Sequence, residues 1–273
     1  MVIRELKNGF CFVSTQEDHA ELSAQFAAHW GNDKFSRLRP YASMVFATTF
    51  HDSGYREWEG SPPINLAKGR PYAHRETIPS FEEVELSAYS HNVEWLRARD
   101  RYASLLVSMH RTGLWANRYD AFTHPQGRAR ERSPEVMAAK RALEAQQEQE
   151  KISLGAGKAD FADELWFNFR ALQIFDMLSL YFCCDGYLDD EQFKDDLIAP
   201  VPVSYDSEEE VELRMLPAGP RTVRFTPYPF DISPLKVTVR SRCLGPGKFA
   251  SQEDGLVAYH KAPRQLLSFD ITG

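Results

Sequence analysis

The sequence predicts a mainly α protein, a helical bundle carrying a small antiparallel sheet that the C-terminal region builds together with an N-terminal hairpin. Three observations lead there. Between about residue 15 and residue 195, apolar side chains recur at helical spacing, interrupted by long loops. Before this stretch, residues 1–14 alternate on either side of Asn8-Gly9, a hairpin signal. Beyond Pro200 the texture changes to short period-two runs between turns bearing proline and glycine. The expected organisation is a hairpin over 1–14, a helical metal-binding domain over 15–195 and a β-rich region over 196–273 packed on it.

The first helix starts at Thr15, where Thr15 and Asp18 form a capping box, and Leu22, Phe26 and Trp30 mark its apolar face. Counting back from Leu22 and Phe26 places His19 on that face. The apolar run Met44 to Phe50 ends in the doublet His51-Asp52, with Gly54 soon after as a stop. Next comes a loop from Tyr55 to Pro79, whose prolines and glycines preclude a long helix and which carries Lys68, Arg70, His74 and Arg75. His91 opens an amphipathic segment with Val93, Trp95 and Leu96, and His110 closes the run Leu105 to Met109, with Gly113 as its terminator. A polar helix starts at Ser133-Pro134 and reads as a solvated face or a lid. The run Leu165 to Phe182 is the most hydrophobic helix candidate and contains Asp176. Strands are expected over 211–216, 222–226, 235–242 and 265–271.

Imidazoles and carboxylates are the side chains that hold a divalent transition metal such as Fe, Mn or Zn while leaving positions open. His19, His51, Asp52, His91, His110 and Asp176 supply six, enough for one ion or two. Burying an ionised carboxylate without compensation costs several kcal/mol, so Asp176 in so apolar a helix needs a partner, either a metal or a cation such as Arg170.

The order His, His-Asp, His, His, Asp over successive helices resembles the binuclear branch of the HD-domain superfamily. That resemblance implies an HD-domain-like helical bundle, with His19 as the first ligand, His51 and Asp52 as the doublet, His91 and His110 as inserted ligands and Asp176 as the last. It implies metal-dependent phosphohydrolases and phosphodiesterases, with a minority of diiron oxygenases. The phrases His51 to Pro63, Tyr102 to Leu114 and Leu172 to Cys183 are also similar to an uncharacterised bacterial family, domain of unknown function family 3891.

Composition bounds the remaining choices. The 273 residues are 43% hydrophobic, ample for a core, and the formal net charge of −7 argues against nucleic acid or an anionic membrane surface as partner. No stretch approaches the ~20 apolar residues of a spanning helix, and Met1 to Lys7 lacks a signal-peptide core, so the expected compartment is the cytoplasm. Cys11, Cys183, Cys184 and Cys243 show no zinc-type spacing and are expected to be reduced thiols.

The expected function is hydrolysis of a nucleotide or phosphate ester by water that the metal acidifies to a pKa near ~7. Asp52 would bridge or ligate the metals, and Glu59 would orient a histidine or take a proton. Lys68, Arg70 and Arg111 are the expected contacts to substrate phosphate. A small, phosphorylated molecule is therefore the expected partner, and the chain is allowed to be a homo-oligomer. Two further readings use the same ligands: a diiron oxygenase acting on a small polyol or phosphonate, and a metal-containing module that binds without catalysis.

Overall fold

Asn8-Gly9 turns the chain back on itself. Gly9 holds a φ of +83°, a conformation an L side chain adopts only with strain, and its N–H closes the turn onto Leu6 O at 2.9 Å. The flanking strands β1 (Val2–Glu5) and β2 (Cys11–Ser14) pair antiparallel, Val2 opposite Ser14. This computed structural model describes residues 1–78, 81–116, 132–190 and 192–273.

The hairpin does not stand alone. Strands β5 (Asp196–Pro202), β6 (Glu210–Gly219), β7 (Thr222–Thr226), β8 (Leu235–Leu244) and β9 (Arg264–Thr272) join it in one sheet of order β1-β2-β8-β9-β7-β6-β5. The pairings are antiparallel except β7 with β9, which run parallel, so the seven-stranded sheet is mixed and curls into a half-barrel. This overturns the expected mainly α, HD-domain-like bundle with a small antiparallel sheet. Period-two patterning reveals strands but not their partners, and β2 with β8 pairs Cys11 with Leu244, a contact that no local pattern encodes. A two-stranded ribbon of β3 (Ile64–Asn65) and β4 (Arg70–Pro71) lies in the long loop, whose last residue, Pro79, falls outside the described residues.

The helices are α1 (Gln16–His29), α2 (Tyr41–Phe50), the short α3 (Arg56–Glu59), α4 (Phe81–Arg97), α5 (Arg101–Trp115), α6 (Pro134–Gly155), α7 (Phe161–Leu180) and α8 (Gln252–Lys261). The Thr15 capping box forms as the sequence indicates, Thr15 Oγ1 accepting from Asp18 N at 3.0 Å. Two boundaries differ. Helix α5 runs past Gly113 to Trp115, and His91 lies inside α4 rather than at its start. The polar helix α6 begins at Pro134 behind its Ser133 cap; Arg128 to Glu131 of that polar stretch lie outside the described residues. Strand β5 and helix α8 were not anticipated. Pro200 disguises β5, which tolerates it as an edge strand, and Gly255 interrupts the pattern of α8.

Helix α7 is the axis of the molecule, buried from Leu165 to Leu180 except at Trp166, and it packs against α1, α2, α5 and β5. One hydrophobic core runs through helices and sheet, with Phe26, Phe175, Phe182, Phe193, Phe225 and Phe269 among its largest side chains. Phe182 bridges the two layers, its ring 5.7 Å from that of Phe26 and 5.3 Å from that of Phe269. Rigid packing of α1, α2, α5 and α7 at this junction fixes the positions of the polar side chains they bury. Among the described residues no helix is long and apolar enough to cross a membrane.

Candidate metal centre

Each of the four core helices sends polar side chains to one buried place. His19 comes from the first turns of α1, His51 and Asp52 from the end of α2, His110 from α5 and Asp176 from α7. All five are buried, His51 completely and Asp176 with 7% exposure. His51 occupies the middle: the His19 and His110 rings stand edge-on to it on either side, each with centroids 5.1 Å away. His51 belongs to both potential ligand triads, one with His19 and Asp176 and one with Asp52 and His110, so the two triads meet at its ring.

The spacing is that of donors around an ion. His51 Nε2 lies 3.7 Å from Asp176 Oδ1 and 4.0 Å from Asp52 Oδ2, and His110 Nε2 lies 3.9 Å from Asp176 Oδ2. These distances are too long for hydrogen bonds. Two ligands bound to one ion at ~2.1 Å stand about 3.0 Å apart at a right angle and about 4.2 Å apart when opposite, which brackets them. His19 Nε2 and Asp52 Oδ2, at 3.2 Å, are the closest pair.

The decisive atom is His51 Nε2, which is buried without any hydrogen-bond partner. The other ring nitrogen, Nδ1, donates to Thr48 O at 2.8 Å, which turns Nε2 into the cluster. Leaving such a group unsatisfied costs ~1–3 kcal/mol, a cost that coordination removes. Three imidazoles and two carboxylates form a donor set suited to Fe, Mn or Zn.

Neighbours orient the set. His19 Nδ1 meets Ser179 Oγ at 2.8 Å, turning Nε2 toward Asp52. Tyr89 Oη and Arg111 Nη2 both donate to Asp52 Oδ1, the arginine from 3.4 Å, while Gln16 Nε2 donates to Oδ2 at 3.3 Å. Asp52 thus offers the cluster one oxygen and spends the other on its supports, which suits a ligand better than the expected bridge between two ions. Burial pushes the Asp52 and Asp176 carboxyls up, but the surrounding imidazoles, joined by Arg111 at Asp52, outweigh it; Asp176 is held at about 2 and Asp52 well below the usual range. His51 is raised, because Asp52 and Asp176 overcome its burial, whereas burial wins at His110 and lowers it to about 4.

His91 is not part of the cluster. It is exposed on α4, one residue from the buried stripe of Glu85, Ala88, Tyr89, Asn92 and Leu96, and one residue is about 100° on a helix. The residues of α4 that serve the site are Tyr89 and Asn92, whose Nδ2 donates to Phe50 O at 2.9 Å and fixes the end of α2.

The expected substrate cations are also engaged elsewhere. Lys68 Nζ meets Glu76 at 2.6 Å, and Arg70 bridges Glu76 and Glu5. Arg111 Nη1 donates to Glu85 at 2.9 Å and its guanidinium stacks 3.1 Å over the Tyr89 ring. Glu59 touches no histidine: it accepts from Gln16 N at 2.8 Å, and burial raises it to about 8. Its link to the cluster is Gln16, which reaches Asp52. Tyr89, Gln16, Ser179 and Asn92 escaped sequence reasoning because uncharged residues on helix faces carry no signal of their own. His74, noticed only as a loop residue, buries both ring nitrogens without partners.

No characterised protein matches this chain, and no solved structure does. The family described as "Protein of unknown function (DUF3891)" matches residues 1–245, a span that takes in all five clustered side chains, and the chain belongs to that family.

Proposed function

We propose that this protein is a metal-dependent phosphohydrolase that binds one or two divalent transition ions, Fe, Mn or Zn, among His19, His51, Asp52, His110 and Asp176. The observation that carries the reading is the buried Nε2 of His51, which makes no hydrogen bond and faces other ligand-type side chains. The order His, His-Asp, His, Asp along the chain resembles that of the binuclear HD-type hydrolase sites with one of the two inserted histidines missing, here set in a different architecture. A divalent ion bound there supplies a Lewis acid and a water acidified toward neutrality.

The chain's own residues do the remaining work. Asp52 and Asp176 offset the ion's charge, and their supports keep them ionised. Tyr89 and Arg111 hold Asp52 so that Oδ2 faces the cluster. Gln16 ties that oxygen to Glu59, donating its side-chain amide to Asp52 and its backbone N–H to Glu59, so it positions both carboxyls.

The test is phosphate release from a panel of phosphomonoesters and phosphodiesters, with chelator-stripped protein reloaded with Mn²⁺, Fe²⁺ or Zn²⁺, run with and without oxygen. Release that needs the metal, proceeds anaerobically and disappears in Asp176→Ala together with bound metal is the expected result. Metal-replete protein that releases no phosphate, or that turns over only by consuming dioxygen, overturns the reading.

A further inference from the structure

Outside the metal centre, the ladder between β8 and β9 contains an arrangement that a stable sheet avoids. At one end Lys236 stands opposite Asp270, a complementary pair 3.6 Å apart. At the other end Arg242 stands opposite Arg264, like charges directly across an antiparallel ladder, which is destabilising unless something lies between them. Neither has an acidic partner among the described residues.

Both arginines line a cleft of about 300 Å³, at the lower bound of small-ligand sites, whose wall also carries Arg56 and Arg240 and the carboxyls of Glu17, Asp18, Glu21 and Glu59. The other two arginines are neutralised, Arg56 by Glu17 and Arg240 by Glu21. Asp18 is occupied by the Thr15 cap. Arg242 is held in place: Nη1 donates to His260 O at 3.1 Å and Ala262 O at 3.2 Å, and its guanidinium lies 4.9 Å from the Tyr259 ring centroid. Burial raises the Glu59 carboxyl to about 8, which weakens the repulsion this part of the wall offers an anion.

We propose that this cleft is an oxyanion site in which Arg242 and Arg264 grip a phosphate group of the substrate. The site stands on the arginine geometry; the identity of its occupant as substrate rests on the phosphohydrolase reading. Its position supports that role, because Glu59 in the cleft wall and Asp52 in the metal centre share Gln16 as a common partner. It also supplies the cations that Lys68, Arg70 and Arg111, each paired with a carboxylate, leave wanting.

The experiment titrates the whole protein with inorganic phosphate in the presence of chelator, so that the metal centre captures none, and reads binding by calorimetry. Saturable, salt-sensitive binding that weakens at least tenfold in Arg242→Ala and in Arg264→Ala is expected. Arg264→Glu keeps the fold intact, since it places an acid opposite Arg242, and it should abolish binding without lowering Tm. Absence of saturable binding by the unmodified protein, or unchanged affinity in the variants, overturns the site. In the metal-loaded enzyme, Arg264→Ala should raise KM for a phosphate ester at least tenfold with kcat little changed; an unchanged KM overturns its role toward substrate. Phosphate binding by a protein that hydrolyses no ester leaves the site standing and removes the phosphohydrolase reading instead.

Discussion

Stripping the metal and restoring it should move the thermal stability of this protein by an amount the cluster allows us to bound. Without an ion, His51 Nε2 is sealed and unsatisfied, and two carboxylates are buried within 4.0 Å of it. An ion that binds only the folded chain adds RT ln(1 + [M]/Kd), about 2.7 kcal/mol at a hundredfold excess over Kd. For a chain of this size each kcal/mol corresponds to ~2–4 °C in Tm, so reloading should raise Tm by ~5–10 °C. Differential scanning fluorimetry against Mn²⁺, Fe²⁺ and Zn²⁺, after chelator treatment, reads it directly. His51→Ala, which removes the central donor, should nearly abolish the response, and His110→Ala should weaken it. His91→Ala, altering an exposed position on α4, should respond as the unmodified protein does. No shift at millimolar metal, or a full shift in His51→Ala, would refute the argument.

Other outcomes follow from the packing around the centre. A Cβ at Gly54 would lie 2.1 Å from Ala88 O, so Gly54→Ala must push α4 away from the doublet and should cost ~1–3 kcal/mol in urea unfolding; unchanged stability counts against this reading. Arg70 is buried between Glu5 and Glu76, and Arg70→Ala should lower stability by ~1.5–3 kcal/mol while leaving metal content intact, whereas an effect on substrate KM alone would restore the loop as a substrate contact. Burial pushes Glu76 up, but hydrogen bonds from Arg70 and Lys68 outweigh it and hold the carboxyl at about 2 instead of 4.5. A depressed carboxylate stabilises above its unfolded pKa, so this contribution is complete above pH 4.5 and lost as the pH falls toward 2. Glu76→Gln should flatten that acid limb of a Tm–pH curve, and an identical limb would exclude the mechanism.

Much of the centre was legible because burial leaves a mark on sequence. A carboxylate amid Ile174, Phe175, Met177 and Leu178 needs compensation, and His19 and His110 fall on apolar faces whose period can be counted. His91 failed by one position, since a histidine beside the apolar stripe and one within it differ only by about 100° of rotation. The basic loop misled for another reason: Glu76 is six residues from Arg70, but Glu5 is 65 residues away, and charges look free until their partners are brought in. Strand limits were read within a few residues over 211–271, while the mixed pairing and the size of the sheet depended on contacts between distant segments.

The union of β2 with β8 has a consequence for biosynthesis. On the ribosome, the hairpin emerges well before β8 and must wait until some 230 further residues have been made before Cys11 can meet Leu244. At ~5–20 residues per second that is a delay of tens of seconds, during which the open edge of β2 and the part of α1 that packs against β8 have no permanent cover. A nascent chain in that condition is a customer for chaperones, and arresting synthesis before residue 235 should yield a product that aggregates, although it already contains every residue of the candidate metal centre.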